Sequence, residues 1–420
     1  MIPVPIEEIA DLALGELAGE GEITAVKADS REVGPGDLFV ALNAGVQYVD
    51  EARARGAATL VPDDQEAALA AIASLVRAKS DAEVVAVVGS TGKTTTKDIL
   101  GALCAPHVPT IWAERSLNNE IGLPLTVCRL EAETRVLVAE MGMRGLGQVA
   151  ALCAVARPTL VVVPHVGPEH LELLGTVERV AEANSEAIAA LPSGGVAVVP
   201  AAGPLDRFLT RQDVVFRRFA ADDVETVDGS TRFSVNGELV ELELPFTQRH
   251  LALNTLAALH AYAALGLPLE RAAEGVAFIA LSPWRGDETE LPGGGFVVND
   301  AYNANPDSMR AALVHLAERA GDRRRVAILG EMAELGERSA SYHGEIGELA
   351  ADLGIDVIGV GESARRYAPT IWVESAPAVP EAAREYLRPG DAVLVKASRA
   401  VGLEGIADEI ANFARAWSPY

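Results

Sequence analysis

Positive charge is scarce in this chain: 35 lysines and arginines face 60 aspartates and glutamates, a formal net charge of -25. A field of that sign repels polyanions, which argues against a general binder of nucleic acid or of anionic membranes. It leaves room for a small phosphorylated ligand, held locally by backbone N–H groups and a single lysine. Aromatic residues are few, at 5%, while 49% of the 420 residues are hydrophobic, so the cores must be aliphatic. Cysteine is rarer still. Cys104, Cys128 and Cys153 are three in number, and the opening MIPVPIEEIADLALGELAGE has no basic segment ahead of an apolar one. A cytoplasmic protein with reduced thiols is the expectation. Long uninterrupted apolar runs are also missing. The two uncharged stretches nearest to membrane-span length are 187–205, broken by prolines and glycines, and 251–269, where Asn254, Thr255 and His260 recur at helical spacing as in a buried helix of a globular domain.

What is present is a set of short aliphatic runs alternating with alanine-rich helical patterns. The runs are VVAVVGS (84–90), RVLVAEMG (135–142), LVVVPHV (160–166), GVAVVP (195–200), RVAILGEM (325–332), VIGVGE (357–362) and AVLVKAS (392–398). Strands buried on both faces by crossover helices read in this way, so the fold class is α/β with largely parallel sheets. At roughly 150 residues per domain the length allows two or three domains. Polar KSDAE (79–83) and the proline- and glycine-rich SPWRGDETELPGGG (282–295) mark two boundaries, giving domains over 1–81, 82–285 and 286–420. Segment 224–245 alternates apolar and polar residues around Asn236-Gly237, a hairpin signal that predicts an antiparallel insertion at the edge of the middle sheet.

The first chemical motif is Gly89-Ser90-Thr91-Gly92-Lys93-Thr94-Thr95, after an apolar strand and at the start of a predicted helix, Lys93–Cys104. Glycines let the backbone turn its N–H groups inward, the helix start adds partial positive charge, Lys93 supplies a mobile cation and the Thr94 hydroxyl can ligate magnesium. Val87 stands where the longer phosphate-loop pattern has its first glycine, so this is a shorter variant. It predicts binding of a nucleoside triphosphate.

Beyond that loop the sequence resembles the Mur ligases, ATP-dependent enzymes that form amide bonds in bacterial cell-wall synthesis, and the resemblance runs end to end. Asp300-Ala301-Tyr302-Asn303-Ala304-Asn305-Pro306-Asp307-Ser308 is its most specific piece. Supporting it are GSTGKTTTKD (89–98), NNEIGLPLT (118–126), EMGM (140–143), GPEHLELLGT (167–176), RHLALNTLAA (249–258), LGEMAELGE (329–337) and KASR (396–399). These motifs are most similar to those of the branch that joins D-alanyl-D-alanine to UDP-N-acetylmuramoyl-tripeptide through an acyl phosphate. The resemblance implies a uridine-nucleotide-binding first domain, a central ATP-binding domain and a Rossmann-like third domain that binds the dipeptide.

Its implied cofactors are ATP and Mg2+. The catalytic set would be Lys93, Glu140 and His170, and the metal ligands Thr94, Glu140 and His170. ATP would be held by the loop residues Gly89 to Thr95 with Asn254, Arg285, Asp300, Tyr302 and Asn303. The two substrates would meet Asp29, Ser30, Arg31, Asn118, Asn119, Asn305, Lys396 and Arg399. Glu331, Glu334 and His343 read as solvated or capping groups. A monomer is expected, with no nucleic-acid or membrane partner.

Two departures from the family pattern stand out. Many relatives carry a lysine, carbamylated when functional, in an A-K-x-E-I pattern after the histidine motif; here the segment is Ala183-Asn184-Ser185-Glu186-Ala187-Ile188. A carboxamide cannot be carbamylated, so the expectation is that water, Asn184 and Glu186 together replace that group at a second magnesium. The first domain also lacks a longer glycine-containing loop, passing directly through Asn43 to Tyr48. Other readings stay open at this point: a sister ligase of the Mur or folylpolyglutamate type, or a nucleotide-binding partner protein without ligase activity.

Overall fold

The computed structural model describes every residue except Arg115, Asp228 and Ser418–Tyr420. The described chain forms two compact units, one of 1–165, 181–247 and 251–280, the other of 166–180, 248–250 and 281–420. The α/β class is borne out in both.

The first unit contains a six-stranded, wholly parallel sheet in the order Val215–Phe219, Val196–Pro200, Leu160–Val162, Glu83–Val87, Val136–Glu140, Thr110–Trp112. From the strand Glu83–Val87 the chain first fills one side of the sheet and then crosses to Leu160–Val162 on the other. Strand order therefore reverses at the residues that feed the glycine loop. In open α/β sheets the crevice beyond the strand ends at such a reversal is where ligands bind. The loop-following helix is Lys93–Cys104, almost wholly buried, and a second buried helix, Arg249–Ala264, carries Asn254, Thr255 and His260. Among the described residues no helix is long and apolar enough to cross a membrane.

Toward the chain start the same unit has a four-stranded sheet, Gly15–Ala18, Ala58–Pro62, Asp37–Val40 and Ala25–Lys27, in which only the first pairing is antiparallel. Asn43–Tyr48 is a 3-10 helix. The predicted hairpin forms between Ser230–Val235 and Glu238–Leu242, with Asn236 at φ 54° and Gly237 at φ 87°, the left-handed pair that a tight two-residue turn requires. It joins Val224–Val227 in a separate three-stranded sheet rather than extending the edge of the six-stranded one. The edge position is taken by Val215–Phe219, which pairs in parallel with Val196–Pro200.

The second unit is built on another six-stranded sheet: Asp287–Leu291, Gly295–Asn299, Ala392–Lys396, Arg325–Leu329, Ile355–Val360, Ile371–Val373, parallel but for the first pair. The last strand of this sheet in sequence, Ala392–Lys396, lies between Gly295–Asn299 and Arg325–Leu329. That position brings Lys396 beside the segment 300–305. All three cysteines are buried, and burial pushes each thiol up to about 12.

Candidate active site

In the first unit the glycine loop is fixed at both ends by its own conformation. Gly89 has φ 123°, and a Cβ there would lie 2.6 Å from the His165 carbonyl oxygen. Gly92 caps the helix Lys93–Cys104 at φ 85°, and a Cβ there would lie 2.3 Å from Asn254 Oδ1. Neither position tolerates a side chain. Ser90 N–H donates to His165 O at 2.8 Å, and Gly89 N–H donates to Asn184 Oδ1 at 2.6 Å. The Lys93 ammonium folds back onto the carbonyls of Gly89 and Ser90. The expectation for Asn254 was a place near a nucleotide base; its carboxamide lies against Gly92 of the loop, a steric neighbour of the phosphate-binding segment.

Beyond the loop, Thr94 Oγ1 is 3.1 Å from Ser116 Oγ. Glu140 ends the strand Val136–Glu140, is 1% exposed, and accepts from Asn118 Nδ2 at 2.7 Å through Oε1. Its Oε2 is buried with no hydrogen-bond partner among the described residues. Burying half a carboxylate unsatisfied is costly, so the atom is suited to a ligand that enters the site. Asn118 thus orients Glu140, while Asn119 Oδ1 accepts the N–H groups of Ile121 and Gly122 and shapes the turn into the helix Gly122–Val127. The expectation gives both to the substrate; these hydrogen bonds are within the protein. Glu186 likewise departs from expectation. Its carboxylate takes the N–H groups of Gly147 at 2.6 Å and Ala150 at 3.0 Å, at the start of the helix Gln148–Ala156, where negative charge is favoured. It is a helix cap and not a substitute metal ligand.

Asp29, Ser30 and Arg31 form a turn after Ala25–Lys27. Arg31 makes a two-pronged pair with Asp29, Nη2 to Oδ2 at 2.6 Å and Nε to Oδ1 at 2.9 Å, which holds the Asp29 carboxyl down at about 2. Ser30 is buried and the Arg31 side chain is exposed.

In the second unit, His170 sits at φ 50° ahead of the short helix Leu171–Leu174, and its Nδ1 meets Glu334 Oε2. Nε2 is 3.5 Å from Glu169 Oε1. Glu334 also has a left-handed backbone, φ 61°, and its carbonyl accepts Glu172 N–H at 3.0 Å. Glu334, although its side chain is partly exposed, is therefore a partner of the histidine. Of the other two loop residues, His343 Nε2 accepts Met332 N–H at 3.0 Å while Nδ1 faces Ser339 O at 2.7 Å, and Glu331 accepts from Ser363 Oγ at 2.8 Å. Those two hold the loop 330–336 in place.

Lys396 overturns its expectation. It is 2% exposed, and Nζ donates to Asp300 Oδ2 at 2.6 Å, Asn303 O at 2.9 Å and Asp300 O at 3.3 Å. An ammonium has three protons, and all three are spent inside the unit, so none reaches out to a dipeptide carboxylate. Asn305 is similarly reassigned: its Oδ1 accepts Ser308 N–H at 2.9 Å and Ser308 Oγ accepts Asn305 N–H at 3.0 Å, a reciprocal cap on the helix Pro306–Ala320. Tyr302 lies under Arg285 at 4.0 Å, with Arg399 5.8 Å from the same ring and 4.5 Å over Trp284. Arg399 also pairs with Glu404 at 2.9 Å. His250, which sequence reasoning passed over, is pushed down to about 4 by burial, with Asp300, Lys396 and His315 around it.

Oxygen donors at Thr94 and Glu140 fit a hard cation such as magnesium, which needs few protein ligands. No cluster of three or more His, Cys, Asp or Glu among the described residues is arranged to hold a metal unaided.

Comparison with known proteins places these features in a family. Residues 87–262 match the Mur ligase middle domain, and 288–399 match the Mur ligase glutamate ligase domain. The UDP-N-acetylmuramoyl-tripeptide--D-alanyl-D-alanine ligase of Escherichia coli K12 is 33% identical over 86% of this chain and 87% of its own. The enzyme of the same name from Mycobacterium tuberculosis H37Rv is 32% identical over 96% and 95%. Among solved structures, MurF ligase from Thermotoga maritima in complex with ADP superposes with a TM-score of 0.82 at 28% identity, covering 93% of this chain and 98% of that one. MurF from Acinetobacter baumannii gives 0.84 at 25% identity, covering 97% and 99%.

Proposed function

The chain belongs to the Mur ligase family, and from that membership we infer that it is the ATP-dependent ligase that adds D-alanyl-D-alanine to UDP-N-acetylmuramoyl-tripeptide in peptidoglycan precursor synthesis. The observation that carries this reading is end-to-end similarity at about a third identity to ligases of that name, joined to a phosphate loop at the reversal point of a parallel sheet.

The chemistry sets the demands on the site. A carboxylate does not react with an amine at neutral pH until one of its oxygens becomes a leaving group. The tripeptide carboxylate attacks the γ-phosphorus and ADP departs; the dipeptide amine then attacks the acyl carbon, phosphate departs and a proton is lost from nitrogen. Little covalent work falls to the protein, whose task is to align the groups and neutralise charge on the transferring oxygens. We assign Lys93 to that charge, released from the carbonyls of Gly89 and Ser90 when phosphate enters, with the N–H groups of the helix start Lys93–Cys104 beside it. Thr94 and Glu140 Oε2 would hold magnesium, which supplies further charge neutralisation when bound. Asn118 orients Glu140 for this.

His170, with Nδ1 turned to Glu334, is assigned to a second cation through Nε2. Arg285, Tyr302 and Asp300 are assigned to the nucleotide, Arg399 to the dipeptide carboxylate, and Asp29, Ser30 and Arg31 to the uridine diphosphate. The proposed domain division is 1–81, 82–285 and 286–420, and the proposed state a cytoplasmic monomer.

The test is phosphate release from ATP and magnesium with each of the two substrates omitted in turn. Release that requires both, with a pentapeptide product of matching mass, is the expected result. Release without either substrate, or nucleotide binding with no release for diaminopimelate- and lysine-containing tripeptides alike, would overturn the assignment.

A further inference from the structure

Asn184 lies on the helix Val177–Ala189, 95 residues from the glycine loop in sequence, and is 1% exposed. Its Oδ1 accepts the Gly89 N–H at 2.6 Å. The carbonyl of the same glycine accepts the Lys93 ammonium. One backbone residue therefore joins a buried carboxamide to the cation of the phosphate loop. Gly89 has little freedom to move on its own: φ is 123°, and its Cα faces the His165 carbonyl so closely that a Cβ would lie 2.6 Å from that oxygen. The next residue is anchored there too, Ser90 N–H to His165 O at 2.8 Å.

We propose that Asn184 is a positioning residue for phosphoryl transfer: it fixes Gly89 by accepting its N–H, and through the Gly89 carbonyl it sets the resting place of Lys93. The proposal rests on the reading of residues 89–94 as the ATP site. Its physical content is the acceptor. A buried N–H deprived of this acceptor seeks another, by rotating the Val88–Gly89 peptide or by drawing in water, and either change displaces the carbonyl on which Lys93 rests. The role does not need the amide nitrogen of Asn184, so an aspartate, equal in shape and accepting through either oxygen, serves in its place.

The experiment compares Asn184→Leu, which matches the volume and removes the acceptor, with Asn184→Asp, which keeps it. Steady-state constants are measured for ATP and for UDP-N-acetylmuramoyl-tripeptide separately, alongside the thermal midpoint. Asn184→Leu is expected to lower kcat/KM for ATP by about ten- to hundredfold with KM for the tripeptide substrate unchanged, the loss that follows from stranding one buried N–H. Asn184→Asp is expected to recover most of it. Equal impairment of the two variants, equal change in both substrates' constants, or no change at all would overturn the proposal. Should Asn184→Leu fail to fold, hydrogen exchange at the Gly89 amide of the unmodified chain decides: slow exchange is expected, and exchange at the rate of an open loop overturns it. Lys93→Ala, run in parallel, separates the two readings. Full phosphate release by Lys93→Ala would sink the ATP site itself, whereas an inactive Lys93→Ala with an unimpaired Asn184→Leu would sink only the role of Asn184.

Discussion

Glu334 Oε2 meets Nδ1 of His170 across 164 residues of sequence, and both residues hold left-handed backbones at the point of contact. A carboxylate on one ring nitrogen fixes the tautomer and leaves the other nitrogen to a ligand, an arrangement common behind metal-bound histidines. Replacing Glu334 by Gln should raise the magnesium concentration for half-maximal turnover by about tenfold while leaving the melting temperature near its original value. A titration of turnover against magnesium checks this, and an unchanged midpoint would remove His170 from the metal assignment.

Lys93→Ala should lower turnover by about a hundredfold or more, because the lost charge acts on oxygens whose charge develops during transfer. Affinity for UDP-N-acetylmuramoyl-tripeptide, measured by calorimetry, should stay within about twofold. The opposite pattern, weak sugar-nucleotide binding with turnover intact, would refute the assignment of Lys93.

Lys396→Met should cost about 3 kcal/mol of stability, since it strips Asp300 of a buried cation and frees two carbonyls. Urea unfolding of the single variant and of Lys396→Met combined with Asp300→Asn provides the check, the double variant recovering part of the loss. A raised KM for D-alanyl-D-alanine with stability unmoved would restore the dipeptide role that the geometry denies this lysine.

His260 predicts an acid-side weakness. Its two ring nitrogens are buried without hydrogen-bond partners among the described residues, and burial pushes it from 6.5 down to about 4. The folded state thus holds it neutral while the unfolded chain takes up a proton first as pH falls. Its contribution is whole above pH 6.5 and is lost progressively toward about 4. His250 has the same sign and range, and His315 and His343 the same sign. His260→Phe, beside Phe219, should flatten the fall in unfolding free energy by about 1.4 kcal/mol per pH unit in that window. Identical slopes for variant and parent, from denaturant curves at pH 7, 6 and 5, would reject the mechanism.

Local patterns made much of the scaffold legible. Strands covered on both faces leave continuous apolar runs, so each of the seven read from the sequence lies in a parallel ladder, and the helix Lys93–Cys104 begins and ends where its motif placed it. Asn236-Gly237 gave away its turn because two successive left-handed residues leave few alternatives. The partners of Lys396, His170 and Gly89 lie 96, 164 and 95 residues away, and no local period encodes such meetings. Lys396 closes an apolar strand and so reads as the point where the chain surfaces; the position of that strand between two others buries it instead. Asn305 is a different kind of miss. Asn-Pro-Asp-Ser is a helix start with proline at its first position, legible in principle, but the motif around it resembles a ligand-binding one and masks that signal.

The burial of Cys104, Cys128 and Cys153 has a practical corollary. With their thiols pushed up to about 12, almost no thiolate is present at neutral pH to react with a maleimide or an iodoacetamide. The native chain is thus a silent background for site-specific labelling: one cysteine introduced in each unit would carry a fluorophore or spin-label pair with no native cysteine to remove, and distances between the units could be followed through a catalytic cycle.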